Sequence, residues 1–197
     1  MNLSTRIFLS LTIVLLVVAA GLWIIGGKKN EYATETTINA SPESVFPYLT
    51  QAGHMKKWVS GLTNVEDLTP LKENDNGVRG GKKTLRVVKD DEGNQTRYDD
   101  EVIRFEDGKA VSVQSTNSSE KVTRIFQLDL NEGKTVLNYR VKTENAGIGR
   151  MTAVFQKNDY GSQIESEARK LKELVEANEP EPAPVEPIYQ NPSFESP

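Results

Sequence analysis

The sequence predicts an α+β domain behind one N-terminal transmembrane helix. The domain holds a single antiparallel sheet in the order strand, two helices, six strands and a long C-terminal helix. Three observations predict this. The chain opens with an uncharged run from Ile7 to Gly27. Six β-rich segments then succeed one another at short spacing, with turn residues between them. Beyond Gly149 the apolar period becomes helical, with Ile164, Ala168, Leu171 and Val175 on one stripe.

The opening run is 21 residues long. As a helix it reaches roughly 31 Å, the depth of a bilayer core. Arg6 precedes it, Lys28 and Lys29 follow, and Trp23 stands where an indole suits the membrane interface. A cleaved signal peptide is the alternative: its apolar stretch is about 7–15 residues long and ends in small residues. Val18-Ala19-Ala20 offers such a site, but Leu22-Trp23-Ile24-Ile25 carries the run past it. The segment therefore reads as an uncleaved anchor, and the absence of Cys excludes a lipoprotein anchor. A short N-terminal tail left inside the cell places the remainder outside the cytoplasm. The expected location is thus a bacterial inner (cell) membrane, crossed once, with an extracytoplasmic domain.

Tyr32–Ile38 alternates and is β-rich, giving the first strand. Ser41-Pro42-Glu43 starts a helix: Ser41 caps, Pro42 sits where its missing N–H costs nothing, and Glu43 complements the dipole. Pro47 should kink or shorten it. Gly53 separates a second short helix, His54–Val59. The predicted strands are Asn64–Leu68, Lys82–Lys89, Arg97–Glu106, Ala110–Ser115, Val122–Leu130 and Thr135–Thr143. Turn signals at Asp75-Asn76-Gly77, Asp91-Glu92-Gly93-Asn94, Glu106-Asp107-Gly108, Asn117-Ser118-Ser119 and Asn131-Glu132-Gly133 leave no room for parallel crossovers. After Asn178, six prolines and no Lys or Arg predict an extended Pro/Glu-rich tail. The expected division is anchor 1–30, folded domain 31–178 and disordered tail 179–197.

Composition narrows the function. A net charge of −4 supplies no basic field for nucleic acid. With no Cys there are no disulfides, thiolate nucleophiles or Cys-based zinc sites, and His54 is the single histidine. Gly80-Gly81-Lys82-Lys83-Thr84 departs from a phosphate loop, because Asn76 replaces the first Gly, Lys83 replaces Ser/Thr, and a strand follows. A hairpin at a cavity mouth suits it better. Asp90-Asp91-Glu92 and Asp99-Asp100-Glu101 lack the spacing of a calcium loop and read as solvated faces. His54, beside Lys56 and Lys57, reads as a surface residue, and Trp58 as the anchor of its short helix over the sheet. No nucleophile–base constellation can be assembled. No cofactor, metal or catalytic residue is assigned.

The segments Thr36–Leu62, Ile103–Val113 and Leu171–Ala177 carry a strand entering a Pro-capped helix with a Trp beyond, and the end of an amphipathic closing helix. In these the chain resembles the START-like superfamily, also called SRPBCC or helix-grip proteins, and its polyketide cyclase/dehydrase branch. The resemblance implies a strongly curved sheet wrapped around the C-terminal helix, with a cavity between them for lipids, polyketides or other apolar molecules. Alternation puts Phe126 and Leu128 on one face of the strand Val122–Leu130, and Leu137, Tyr139 and Val141 on one face of the strand Thr135–Thr143. With Ile164, Ala168 and Leu171 they are the candidate cavity wall, or else they pack together as a filled core. Arg124, Tyr139 and Arg140 are the polar strand positions an enzyme would use. The expected function is a membrane-tethered, noncatalytic carrier or sensor of a small hydrophobic ligand. A cyclase- or dehydratase-like enzyme using the same cavity is one alternative, and a protein-interaction module engaging a partner through its acidic tail is the other.

Overall fold

The computed structural model describes residues 3–27, 29–68, 80–90, 92–146, 149 and 160–178. The expected tail 179–197, the Asp75-Asn76-Gly77 turn, Asp91 and Gly147 lie outside the described residues.

The first helix, α1, spans Leu3–Gly26, and most of its large apolar side chains, Phe8, Leu11 and Leu15 among them, stand exposed. Its described side chains begin at Phe8, and Ile25 is not among them. Among the described residues no helix is long and apolar enough to cross a membrane. The transmembrane helix expected over Ile7–Gly27 is therefore not found in the structure as a membrane span. At the C-terminal end of α1, Asn145 Nδ2 donates to the Gly26 carbonyl at 3.1 Å.

Seven strands follow: β1 (Lys29–Ile38), β2 (Leu62–Asp67), β3 (Lys83–Lys89), β4 (Gln95–Glu106), β5 (Ala110–Thr116), β6 (Glu120–Asn131) and β7 (Lys134–Asn145). They form one antiparallel sheet in the order β1-β7-β6-β5-β4-β3-β2. The meander β2 to β7 is sequential, as the short turns require. Only β1 joins from a distance, and its register from Lys29↔Glu144 to Ile38↔Thr135 starts the strand three residues before Tyr32. Bulges interrupt β2 between Leu62 and Asn64 and β4 between Val102 and Arg104. Each bends its strand and adds twist.

Helix α2 (Pro42–Thr50) begins as its sequence requires: Ser41 is extended and its Oγ accepts from the Ser44 N–H at 3.3 Å. Pro47 lies inside it, and the helix stops at Gln51, whose extended backbone also precedes α3 (Ala52–Trp58). Trp58 is buried, donates Nε1–H to the Tyr48 carbonyl at 2.9 Å and meets Phe126 edge-on at 6.0 Å. That fastens α3 over the sheet.

The final helix, α4 (Tyr160–Glu176), buries Ile164, Ala168, Leu171 and Val175, and packs chiefly on β1 and β7. Its C-terminal half is fixed by Lys172 Nζ donating to the Thr37 carbonyl at 2.7 Å and by the Asn39 N–H donating to Glu176 at 2.7 Å. The result is an α+β fold with a large antiparallel sheet and a C-terminal helix.

Candidate ligand cavity

Helices cover this sheet unevenly. α4 lies on β1 and β7, α2 reaches β6 and β7, and α3 meets β2 and α4. Among the described residues no helix packs closely on β3, β4 or β5. Above those strands is a cavity of about 460 Å³. Its roof comes from α2 and α3: Phe46, Leu49 and Thr50 from the first, Gln51 from the joint, Ala52 and Met55 from the second. Its walls are the inward residues Val65, Val102, Phe105, Val111 and Val113. Phe105 is there because of the β4 bulge. Strict alternation from Val102 would turn position 105 outward, whereas the extra residue at Ile103 places Phe105 opposite Val111 and leaves Ile103 half exposed. Its ring then meets Phe46 at 5.6 Å.

The floor is polar. Arg86, 3 % exposed, donates Nε–H to Asp100 Oδ2 at 2.8 Å and Nη2–H to Ser115 Oγ at 2.9 Å, and its guanidinium lies 4.7 Å from the Tyr98 ring. Burial, then the neighbouring Arg124 charge, lower the Arg86 pKa against the pull of Asp100. Asp100 is 7 % exposed, and its second oxygen, Oδ1, is buried without a partner. At the rim Lys82 pairs with Asp67 at 3.0 Å. Lys82 follows Gly81, whose φ of 82° permits the turn into β3, and of the Gly-Gly-Lys segment Lys82 lines the cavity.

Two further polar clusters lie between sheet and helix. Glu167 of α4 is fully buried: it accepts from Tyr139 Oη at 2.8 Å, the Ser60 N–H at 3.0 Å and Gln163 Nε2 at 2.9 Å. Glu120 accepts from Tyr98 Oη at 2.6 Å and Tyr160 Oη at 2.9 Å. Burial pushes all three phenols above the usual tyrosine range, with the adjacent carboxylates adding to it. Arg124 sits among these groups with Nε and Nη1 unpartnered. Burial opposes its charge, but Tyr139, Glu167 and Tyr160 outweigh burial and hold its pKa above the usual arginine value.

The eight residues expected to wall a cavity are all brought together, but as packed core. Phe126, Leu128, Leu137, Tyr139, Val141, Ile164, Ala168 and Leu171 are each buried, and none of them lines the cavity. Phe126 and Tyr139 stack at 4.5 Å. Tyr139 and Arg124 turn inward, whereas Arg140, one step on, takes the other face of the sheet. Asp100 corrects the solvated reading of its acidic run: alternation turns it inward, next to Arg86, leaving only its neighbours outside. His54 is half-buried rather than a surface residue, its ring 4.4 Å from that of Tyr48 and its Nδ1 without a partner. Among the described residues no group of three or more metal-ligating side chains is close enough to hold an ion. The cavity residues on α2, α3 and β3–β5 escaped the sequence reading, because nothing local marks a face as uncovered.

A single sheet with a long helix on one flank and a lined cavity under two short helices on the other defines a helix-grip cavity domain. Residues 30–176 match the family model described as polyketide cyclase / dehydrase and lipid transport, and the chain belongs to that family. Its structure is similar to that of TTHA0849 from Thermus thermophilus, at 16 % identity and a TM-score of 0.58, covering 75 % of this chain and 98 % of that one. It is also similar to Ara h 8.0201, at 13 % identity and a TM-score of 0.54, covering 77 % and 100 %. A third likeness is to the di-domain ARO/CYC StfQ from the steffimycin biosynthetic pathway, at 9 % identity and a TM-score of 0.58. That match covers 76 % of this chain and 52 % of StfQ, about half its length. At these identities the likeness is one of fold. No protein of curated function matches the sequence.

Proposed function

We propose that this protein is a noncatalytic carrier or sensor that binds one small hydrophobic molecule between α2–α3 and strands β3–β5. The observation that carries the proposal is the cavity. At about 460 Å³ it exceeds the ~300 Å³ at which ligand pockets begin, and aromatic and aliphatic side chains form its roof and walls. Native mass spectrometry of protein purified in the presence of a lipid extract should show a bound small molecule. Val113→Trp, which fills the space from the sheet side, should abolish it while the protein stays folded. An unliganded wild type under these conditions would defeat the reading.

A cyclase- or dehydratase-like enzyme is the second reading, favoured by the charged floor. Against it, the Nε and Nη2 donors of Arg86 are already committed to Asp100 and Ser115. Turnover of a poly-β-keto compound, lost in Arg86→Met, would reverse the preference.

The proposal includes attachment to a bacterial inner membrane through Ile7–Gly27, with the domain outside the cytoplasm and 31–178 as its folded unit. The uncharged run in the sequence supports it. Alkaline washing of membranes should leave the protein in the pellet, and a mature N-terminus at Gly21 would overturn the claim. A 31–178 fragment should melt cooperatively.

A further inference from the structure

We infer that the cavity selects a neutral amphiphile bearing a hydrogen-bond donor, such as an alcohol, and discriminates against its carboxylate and its ether. The inference rests on the ligand-binding reading above and names the ligand class. Among the described residues the floor of the cavity is the part of its interior that carries charge away from the rim, and Asp100 keeps an unpartnered acceptor there. Asp100 is almost fully buried and lines the cavity. Oδ2 is occupied by Arg86 Nε, and Oδ1 has no partner, although Thr84 and Ser115 stand opposite Asp100 on the two neighbouring strands. A buried carboxylate oxygen with no donor keeps a desolvation cost until something donates to it. Ser115 Oγ accepts from Arg86 Nη2 and makes no hydrogen bond to Oδ1.

The cations that would attract an anion already face carboxylates, although Arg86 commits only two of its five N–H donors. Arg86 gives Nε–H to Asp100 and Nη2–H to Ser115, and Lys82 at the rim is paired with Asp67. Among the described residues three carboxylates, those of Asp67, Asp100 and Asp107, line the cavity against the two cations Lys82 and Arg86. An incoming carboxylate would meet Asp100 in a space with little water, where like charges repel strongly. Oδ1 is itself enclosed, so a hydroxyl satisfies it as the surrounding side chains give way, and the apolar remainder lies along Val102, Phe105, Val111 and Val113.

Three probes with the same chain separate these chemistries: 1-decanol, decyl methyl ether and decanoate. Each competes with N-phenyl-1-naphthylamine for the full-length protein in neutral detergent, with free concentrations corrected for uptake by empty micelles. The expected order places 1-decanol about tenfold tighter than the ether, as a charged hydrogen bond warrants, with decanoate the weakest. In Asp100→Asn the amide oxygen can keep the Arg86 contact and an N–H replaces Oδ1, so the alcohol's advantage over the ether should fall to about one. A thermal melt checks that this variant folds, and if it does not, the wild-type order alone decides. Equal affinity for alcohol and ether, or tightest binding of decanoate, overturns the inference while leaving a hydrophobic-ligand cavity intact. If N-phenyl-1-naphthylamine fails to bind, or binds Val113→Trp as well as wild type, the cavity reading itself falls and this inference with it.

Discussion

The two flanks of one sheet differ in what faces them. On the β6–β7–β1 flank, inward side chains meet a long helix and α2, and Phe126, Leu137, Tyr139 and Val141 close against Ile164, Ala168 and Leu171 with almost no exposure. On the β3–β5 flank, inward side chains of the same type, Val102, Val111 and Val113, border the cavity, although Val102 and Val111 are themselves buried. Both flanks alternate and both carry β-branched residues. The difference lies in the helices. A straight 17-residue helix can fill the trough over two or three strands, and the remainder is bridged by two helices of 9 and 7 residues joined through one extended residue. Interiors are otherwise close-packed, so the gap follows from what lies above the sheet rather than from the sheet's composition.

The polar groups sharpen the same contrast. On the packed flank Glu167 is satisfied by three donors, from β7, α4 and the end of α3. On the open flank Asp100 keeps an unpartnered oxygen beside the cavity. A saturated buried carboxylate holds elements together, whereas an unsaturated one is a place for a further donor.

The largest effect should come from breaking the open flank's charge pair. Asp100→Ala leaves Arg86 buried without its carboxylate and should cost about 3–5 kcal/mol of unfolding free energy in a urea titration. The double replacement Arg86→Met with Asp100→Leu should cost far less, because no uncompensated charge remains. If the single and double variants were equally unstable, the loss would lie in shape rather than charge.

The next effect tests packing directly. Leu137→Trp must overpack a filled interior and should destabilise by roughly 1–3 kcal/mol. Val113→Trp enters open space and should fall below that range. Equal costs in the two urea titrations would mean that the flanks are equally filled.

The smallest effect is confined to alkaline solution. Tyr98, Tyr139 and Tyr160 have pKa values raised by burial in the folded state. The unfolded chain therefore ionises first, so their contribution to stability is fully present below about pH 10 and is lost as pH rises beyond it. Ultraviolet titration should find that three of the six tyrosines resist ionisation until the protein unfolds. Six phenols titrating together near pH 10 in folded protein would contradict the burial of that cluster.

Much of the fold is legible in local sequence. Ser41-Pro42-Glu43 starts α2 where its capping chemistry demands, and Asn131-Glu132-Gly133 makes the β6–β7 hairpin, with Glu132 at φ 49° and Gly133 at φ 78°. The stripe Ile164, Ala168, Leu171 and Val175 names the buried side of α4. The cavity was legible only as an expectation, and the residues chosen for it were the best-buried ones, which are those that pack.

Alternation, capping groups and turn residues act over a few positions, so the sequence by itself determined which segments are strands and helices and which of their faces turn inward. It also marked Leu137 and Tyr139 as buried, and the sequence alone marks Ile7–Gly27 as an apolar run. Whether an inward face is covered depends on elements far apart in the chain. Tertiary structure alone decided that α4 would lie on β1 and β7, that a bulge would turn Phe105 inward, and that Asp100 would face Arg86 across two strands. The physical reason is that burial propensity belongs to a side chain, whereas a cavity belongs to the space between surfaces whose separation no single segment sets.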